Sequence, residues 1–179
     1  MSPDFDFEYA PAPESRAIVS IEKRYGLFID GKFSNARKSF PTINPATEEK
    51  LSDISLADRK DVDRAVKAAR RAYAKTWSKL SGKERGKYLF RIARLMQERA
   101  REFAVLETLD NGKPIRETRD VDIPLAVAHF FYHAGWADKL EYAGLGDKPR
   151  AHGVVAQVNP WNFPLLDRKS TRLNSSHRT

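Results

Sequence analysis

Cysteine is absent from the 179-residue sequence. Its absence excludes disulfide bonds, thiolate metal sites and cysteine nucleophiles within these residues. A long apolar run is also missing, because the best candidate for a membrane span, residues 125–136, is interrupted by His129 and His133. The acidic start lacks the basic residues of a secretory or transit peptide. We therefore expect a cytoplasmic protein without a membrane partner.

A concentrated basic surface is missing as well, although the net charge is +8 at pH 7. Residues 167–179 contain four basic residues and one acidic residue, so this tail supplies three of the eight charges. The remaining charges are spread over segments that also carry many acidic residues, which is typical of solvated helix faces. We therefore expect no nucleic-acid partner.

The first elements along the chain are an arm and a hairpin. Residues 1–20 have no hydrophobic periodicity and contain three prolines, which predicts a flexible N-terminal arm. Two short apolar runs, at residues 27–29 and 32–33, flank Asp30 and Gly31. An Asp-Gly pair suits a type I′ turn and predicts a β-hairpin. Residues 40–47 are predicted to be extended and turning, because Pro45 disfavours helix before it.

Three helices are predicted from apolar residues at helical spacing. They cover residues 58–77, residues 81–111 (one helix or a helix with a short successor), and a stretch that begins near residue 122. Asp58 is placed to cap the first helix, and Ser81 with Glu84 forms the pattern of a capping box. Gly112 marks the end of the second helical region, and Pro124 falls in the first turn of the third.

A continuous apolar run at residues 153–158 is rich in β-branched side chains. Such a run is typical of a strand buried on both faces, as in a parallel sheet. The predicted fold class is therefore α/β, with a hairpin, a helical layer and one strand of a larger sheet.

The tail after residue 166 differs from everything before it, since residues 167–177 contain a single apolar residue, Leu173. The string resembles the translation of a widely used sequencing-library adapter. We interpret residues 167–179 as an artefactual or disordered tail and exclude them from the fold prediction. The alternative is a genuine basic tail, and the gene sequence after codon 166 would decide between the two.

Several strings occur together in a recognisable order. They are LFIDGKF at 27–33, TINPAT at 42–47, ETLDNGKP at 107–114, YHAGWAD at 132–138 and GVVAQVNPWNFPLL at 153–166. The sequence thereby resembles the aldehyde dehydrogenase superfamily from about residue 25 to residue 166. The resemblance implies that residues 21–166 form part of an NAD(P)-binding domain, whose first Rossmann-like strand is the run at 153–158.

The resemblance also implies a reaction. In the family, a cysteine thiolate attacks an aldehyde to give a thiohemiacetal, hydride passes to NAD or NADP, and a glutamate activates water to release the acid. The negative oxygen needs preorganised donors, and the family uses the asparagine of Pro-Trp-Asn, which is Asn162 here. An uncharged amide offers two N–H donors without quenching the thiolate. The alternative for Asn162 is a turn or capping role.

Other site residues follow from the same resemblance. Asn159, Pro160 and Trp161, together with Asn162, match a segment that lies along the dinucleotide; Asn159 departs from the apolar residue common at its position. Thr42, Ile43 and Asp110 match positions that bind a structural monovalent cation in parts of the family, and oxygen ligands suit a hard cation. The alternatives are a core aromatic at Trp161 and a solvated helix end at Asp110.

The family's catalytic cysteine and general-base glutamate would lie after Leu166. We therefore predict an N-terminal fragment that is inactive alone, from a parent enzyme that oxidises an aldehyde and forms a homo-oligomer. The alternative is a non-catalytic short isoform that binds or modulates full-length subunits. His129 and His133 have the i, i+4 spacing of a metal pair, but without a third ligand in the sequence pattern we interpret them as packing or surface residues.

Overall fold

The computed structural model describes residues 14–144 and 151–166. Its strands are β1 (Arg24–Tyr25), β2 (Leu27–Ile29), β3 (Lys32–Ser34), β4 (Lys38–Ile43) and β5 (Lys50–Leu56). Its α-helices are α1 (Arg59–Lys75), α2 (Gly82–Glu98), α3 (Ala100–Asn111), α4 (Ile115–Glu117) and α5 (Ile123–Trp136), with a π-helical turn at Thr118–Asp122 and 3-10 turns at Arg16–Ile18, Trp77–Lys79 and Leu140–Ala143. The α/β fold class is confirmed. None of the helices in the described ranges is long and apolar enough to cross a membrane.

The predicted hairpin is confirmed. Strands β2 and β3 pair antiparallel, and Ile29 faces Lys32 across the turn. Asp30 has φ 55° and Gly31 has φ 77°, which is the positive-φ pair that a type I′ turn requires. Arg71 of α1 donates a hydrogen bond of 2.6 Å to the Asp30 carboxylate and so ties the turn to the helical layer.

A three-stranded sheet lies beside the hairpin in the order β1-β5-β4. β1 pairs parallel with β5, and β4 pairs antiparallel with β5. β4 is an edge strand, and for this reason it can contain Pro41, which has no N–H to donate. A register shift at Thr42 and Ile43 marks a bulge near the end of β4. A β-bulge changes the direction of the side chains beside it. Here the Thr42 side chain contacts Asp110 of helix α3.

The helix predictions are confirmed for the caps and for the start of the third helix. Asp58 and Ser81 cap α1 and α2 with capping boxes that are completed by Asp61 and Glu84. The second predicted region consists of two helices, α2 and α3, which are divided at Arg99. The third helix, α5, begins at Ile123 with Pro124 in its first turn, as predicted. It is preceded by α4 and the π turn, which were not predicted.

The core lies between α2 and α5, with Ala93, Met96, Ala126 and Val127 buried at its centre. Leu165 and Leu166 of the last described segment pack against this cluster. Gly86 allows the two helices to approach closely, since an added Cβ there would lie 2.9 Å from the carbonyl oxygen of Ala134. The segment after α5 is therefore attached to the helical layer through apolar contacts.

The strand predicted at residues 153–158 is not formed. The structure shows no strand at residues 151–158, and the Val158 side chain is 91% exposed. A strand is held by hydrogen bonds to a neighbour, and no described strand lies beside this segment. The strand prediction is therefore wrong within the described residues, because its apolar composition is not accompanied by a neighbouring strand with which it can pair.

The predicted terminal segments fall mostly outside the described residues, since residues 1–13 and 167–179 are not described. The described end of the predicted N-terminal arm makes contacts. Glu14 accepts a hydrogen bond of 2.9 Å from Arg101 of α3, and a 3-10 turn follows at Arg16–Ile18.

Two glycines in the facing helices give a matched test of the packing. Alanine in place of glycine stabilises a helix interior by roughly 0.5–1 kcal/mol. We expect this gain for Gly135→Ala, because no atom lies within 4 Å of the added Cβ. We expect Gly86→Ala to destabilise the protein, because backbone of α5 occupies the space. Urea unfolding gives the change in the free energy of unfolding for each variant. A stabilising effect of Gly86→Ala would contradict the close approach of α2 and α5.

Candidate functional site

A cleft of about 390 Å³ opens between the end of α3, the end of β4 and the segment at 159–164. Six of the seven residues predicted for the site line it, and these are Thr42, Ile43, Asp110, Asn159, Pro160 and Trp161. The predicted cation and dinucleotide residues, which are far apart in the sequence, are therefore neighbours in the fold. Asn162, the seventh, directly follows the lining residues.

The end of β4 is held against the end of α3. The Thr42 hydroxyl donates a hydrogen bond to the Asp110 carboxylate across 68 residues of sequence. Gly112 ends α3 with φ 82°, and a Cβ at this position would lie 2.6 Å from Cγ of Pro45. Glycine is therefore required here both for the left-handed conformation and for the close approach of the β4–β5 turn.

That turn is itself internally fixed by Asn44, which is buried. Its backbone N–H donates to the carbonyl of Glu49 at 2.9 Å, and its side-chain oxygen accepts from the N–H of Ala46 at 3.0 Å. These bonds form a local Asx turn. The fixed turn places Pro45 against Gly112 and keeps Thr42 at the cleft.

The segment at 159–164 is held from the other side of the cleft. The Asn111 side-chain amide donates a hydrogen bond to the carbonyl oxygen of Trp161. The Trp161 ring is 92% exposed, so the core-aromatic alternative does not describe it within the known part of the fold. Asn162 is also exposed, and its side-chain amide has no hydrogen-bond partner in residues 14–144 and 151–166.

Three polar side-chain atoms are buried without a hydrogen-bond partner among the described residues. They are the Nε2 atom of Gln157, the Oδ1 atom of Asn159 and the Oε1 atom of Glu107. Unsatisfied buried groups are costly and therefore call for an explanation. A polar ligand in the cleft would be one source of partners, since Asn159 lines it.

A buried charged cluster lies behind the cleft. The Lys113 ammonium donates to the Asp122 carboxylate, and the two side chains are 12% and 2% exposed. Glu107 of α3 is 6% exposed and lies beside this pair. Burial raises the pKa of Glu107 to about 7, and the hydrogen bond and charge of Asp122 act in the same direction. One cation thus faces two carboxyl groups, and Glu107 holds a proton up to about neutral pH.

The sequence did not lead us to predict Glu107, Asn111 and Lys113 as site residues, although all three lie in the string ETLDNGKP at 107–114. A signal was present for Glu107. The apolar stripe of the helical region includes Phe103 and Ala104, and Glu107 continues that stripe at the next helical step. An ionisable residue on an apolar face indicates a buried charge that needs partners.

His129 and His133 are interpreted from the sequence as packing or surface residues. In the described ranges, no group of three or more His, Cys, Asp or Glu side chains is placed to hold a metal ion. The His133 ring instead lies edge-on to Tyr132, with 5.0 Å between the ring centroids.

Comparisons with known proteins agree on one family. The model of the aldehyde dehydrogenase family matches residues 33–167. The chain is 41% identical over 156 residues to an aldehyde dehydrogenase of Alternaria alternata, covering 82% of this chain and 31% of that protein. It is 39% identical over 168 residues to the mitochondrial aldehyde dehydrogenase of Homo sapiens, covering 87% of this chain and 32% of that protein. The chain thus spans about a third of the length of these curated relatives.

Solved structures give the same result. The aldehyde dehydrogenase of Bacillus cereus, solved as an NAD+ complex, matches with a TM-score of 0.64 and 41% identity over 65% of this chain and 24% of that chain. An indole-3-acetaldehyde dehydrogenase in its apo form matches with a TM-score of 0.69 and 31% identity over 83% of this chain and 36% of that chain.

The contact between Gly112 and Pro45 is tested by comparing two glycines with positive φ. At Gly31, φ is 77° and no atom lies within 4 Å of an added Cβ. Alanine there should lower the free energy of unfolding by about 1 kcal/mol through backbone strain. Alanine at Gly112 should cost more, because the same strain is joined by a clash with the proline ring. The free energies of unfolding of the two variants give the comparison, and equal losses would contradict the close approach.

The raised pKa of Glu107 predicts a pH dependence of stability. The folded protein binds the Glu107 proton more tightly than the unfolded chain does, because the pKa rises from 4.5 to about 7. Relative to Glu107→Gln, wild-type stability should therefore fall as the pH rises from about 4.5 to about 7 and stay constant above, by a total on the order of 3 kcal/mol. Urea unfolding at a series of pH values measures the difference. Parallel stability curves for the two proteins would show that Glu107 titrates normally.

Proposed function

Because the chain belongs to the aldehyde dehydrogenase family, we propose that it is part of an enzyme that oxidises an aldehyde to a carboxylic acid with NAD or NADP. The observation that carries the proposal is the cleft, in which residues from two distant parts of the matched sequence meet. The chain contains no cysteine. The thiolate that attacks the aldehyde would therefore come from outside these 179 residues.

Asn162 is the residue that this chain contributes to the chemistry. Attack on an aldehyde carbonyl places negative charge on its oxygen, and an amide N–H aimed at that oxygen stabilises the charge. The Asn162 amide is exposed and has no hydrogen-bond partner among the described residues, so its N–H groups are available to a substrate oxygen. Its neighbours on both sides belong to the cleft or contact α3, which supports a fixed position.

Asn159, Pro160 and Trp161 are the residues that would hold the dinucleotide. The exposed Trp161 ring offers an apolar surface, and the unsatisfied Oδ1 atom of Asn159 offers an acceptor for a hydroxyl or amide group. Both features fit an elongated ligand with rings and polar groups. When bound, NAD or NADP accepts the hydride that leaves the substrate carbon.

A monovalent cation is the second ligand that we propose for the cleft. Thr42 and Asp110 bring a hydroxyl and a carboxylate oxygen into contact, and Ile43 adds a backbone carbonyl nearby. An all-oxygen donor set with a single carboxylate suits a hard ion of low charge. The competing interpretation is that the bond between Thr42 and Asp110 satisfies both groups without a cation. We also propose that the parent enzyme is a homo-oligomer and that it is located in the cytoplasm.

A chimera tests the proposed role of Asn162. Residues 33–166 of this chain would replace the aligned part of the Bacillus cereus relative, which supplies the remainder of an enzyme that binds NAD+. We expect aldehyde-dependent NADH formation by the chimera, and a loss of about 10²–10³ in kcat for Asn162→Ala, because one oxyanion donor is removed.

Two controls accompany this measurement. Asn35→Ala removes an exposed asparagine on the connection between β3 and β4 and should leave kcat unchanged. The 179-residue chain alone should form no NADH, because it supplies no thiol. Turnover by the isolated chain that depends on Asn162, or an unchanged kcat in the Asn162→Ala chimera, would refute the assignment.

A further inference from the structure

The end of α3 contacts the segment around Asn162 from one side. Asn111 is the last residue of the helix, and its side-chain amide donates to the carbonyl oxygen of Trp161. Lys113 lies two residues further on, and its ammonium group is 4.0 Å from the centroid of the Phe163 ring. A cation over an aromatic face is attracted by the ring quadrupole, most strongly where water is excluded. The residues before and after Asn162 are thus both held.

A third contact lies two residues further along the segment. Leu165 packs on the core cluster between α2 and α5. The segment is therefore held at residues 161, 163 and 165, and the first two contacts come from one short stretch, residues 111–113. We refer to Asn111 and Lys113 as the α3 clamp.

The groups of the clamp are themselves fixed. Lys113 is anchored by Asp122, which stands at the start of α5 and is almost fully buried. A buried ion pair that loses one partner leaves an uncompensated charge, so these side chains have little freedom to move.

We propose that Asn111 and Lys113 are positioning residues, which fix the backbone on both sides of Asn162 and thereby aim its amide. The Asn162 side chain has no hydrogen-bond partner of its own in the described ranges, so its direction must come from the backbone. Small errors in the placement of a catalytic group cost large factors in rate. The inference rests on the proposed function, since aiming matters only if Asn162 donates to a substrate oxygen.

Backbone 15N relaxation in the 179-residue chain tests the clamp without requiring activity. The order parameters of the backbone N–H groups of Asn162, Phe163 and Leu165 would be measured by NMR in the wild type and in variants. Asn111→Ala removes one contact while keeping a good helix former, and Lys113→Met removes the cation while keeping the length of the side chain. Lys139→Met is the control, because Lys139 is exposed and, among the described residues, pairs with its neighbour Asp138 and the carbonyl of Gly135.

The clamp predicts a local effect. Asn111→Ala and Lys113→Met should each lower the order parameters of the three segment amides from about 0.85 to below about 0.6, whereas the core amides of Ala93 and Ala126 should keep theirs. Lys113→Arg should restore the wild-type values, and Lys139→Met should have no effect. If Lys113→Met unfolds the chain, Asn111→Ala still decides the question. Unchanged order parameters in Asn111→Ala would overturn the proposal.

The test of the clamp can be separated from the test of the proposed function. Greater backbone mobility in the clamp variants, combined with an unchanged kcat in the Asn162→Ala chimera, would retain the clamp and remove the catalytic role.

Discussion

The buried ion pair between Lys113 and Asp122 is the interaction on which the arrangement of the site depends. It joins the turn after α3 to the start of α5, and the same ammonium group lies over Phe163 of the last described segment. Three parts of the chain therefore meet at one charge. Breaking such a pair is costly because the remaining charge stays buried. The pair thus fixes the relative position of these three parts of the chain, and it also contributes to stability.

The polar contacts of Lys113 are supported by apolar contacts with the core between α2 and α5. The α2–α5 core receives Leu165 and Leu166, so the segment that carries Asn162 is held by burial at one end and by polar contacts along its length. Burial is not directional, whereas the hydrogen bond to Trp161 and the cation over Phe163 specify orientation. This combination of burial and oriented polar contacts explains how the exposed Asn162 side chain can occupy a defined place, although its segment forms no strand or helix.

Features with local causes could be predicted from the sequence. The hairpin turn at Asp30 and Gly31 and the caps at Asp58 and Ser81 each depend on a few adjacent residues, and all of them are present. Features that depend on distant partners could not. Strand β5 was missed because its residues gain their strand conformation from β1 and β4, and the run at 153–158 was predicted as a strand that finds no partner here. The family resemblance assigned Thr42 and Asp110 to one cation site, but their hydrogen bond was not predicted, since nothing local links residues 68 positions apart.

The most direct measurement of the central contact is the proton NMR signal of the Lys113 ε-methylene group. If the ammonium lies over the Phe163 ring, ring currents should shift this signal upfield of the exposed Lys139, and Phe163→Leu should return it to the position of exposed lysines. A Lys113 signal that coincides with those of exposed lysines in the wild type, and that does not respond to Phe163→Leu, would contradict the account.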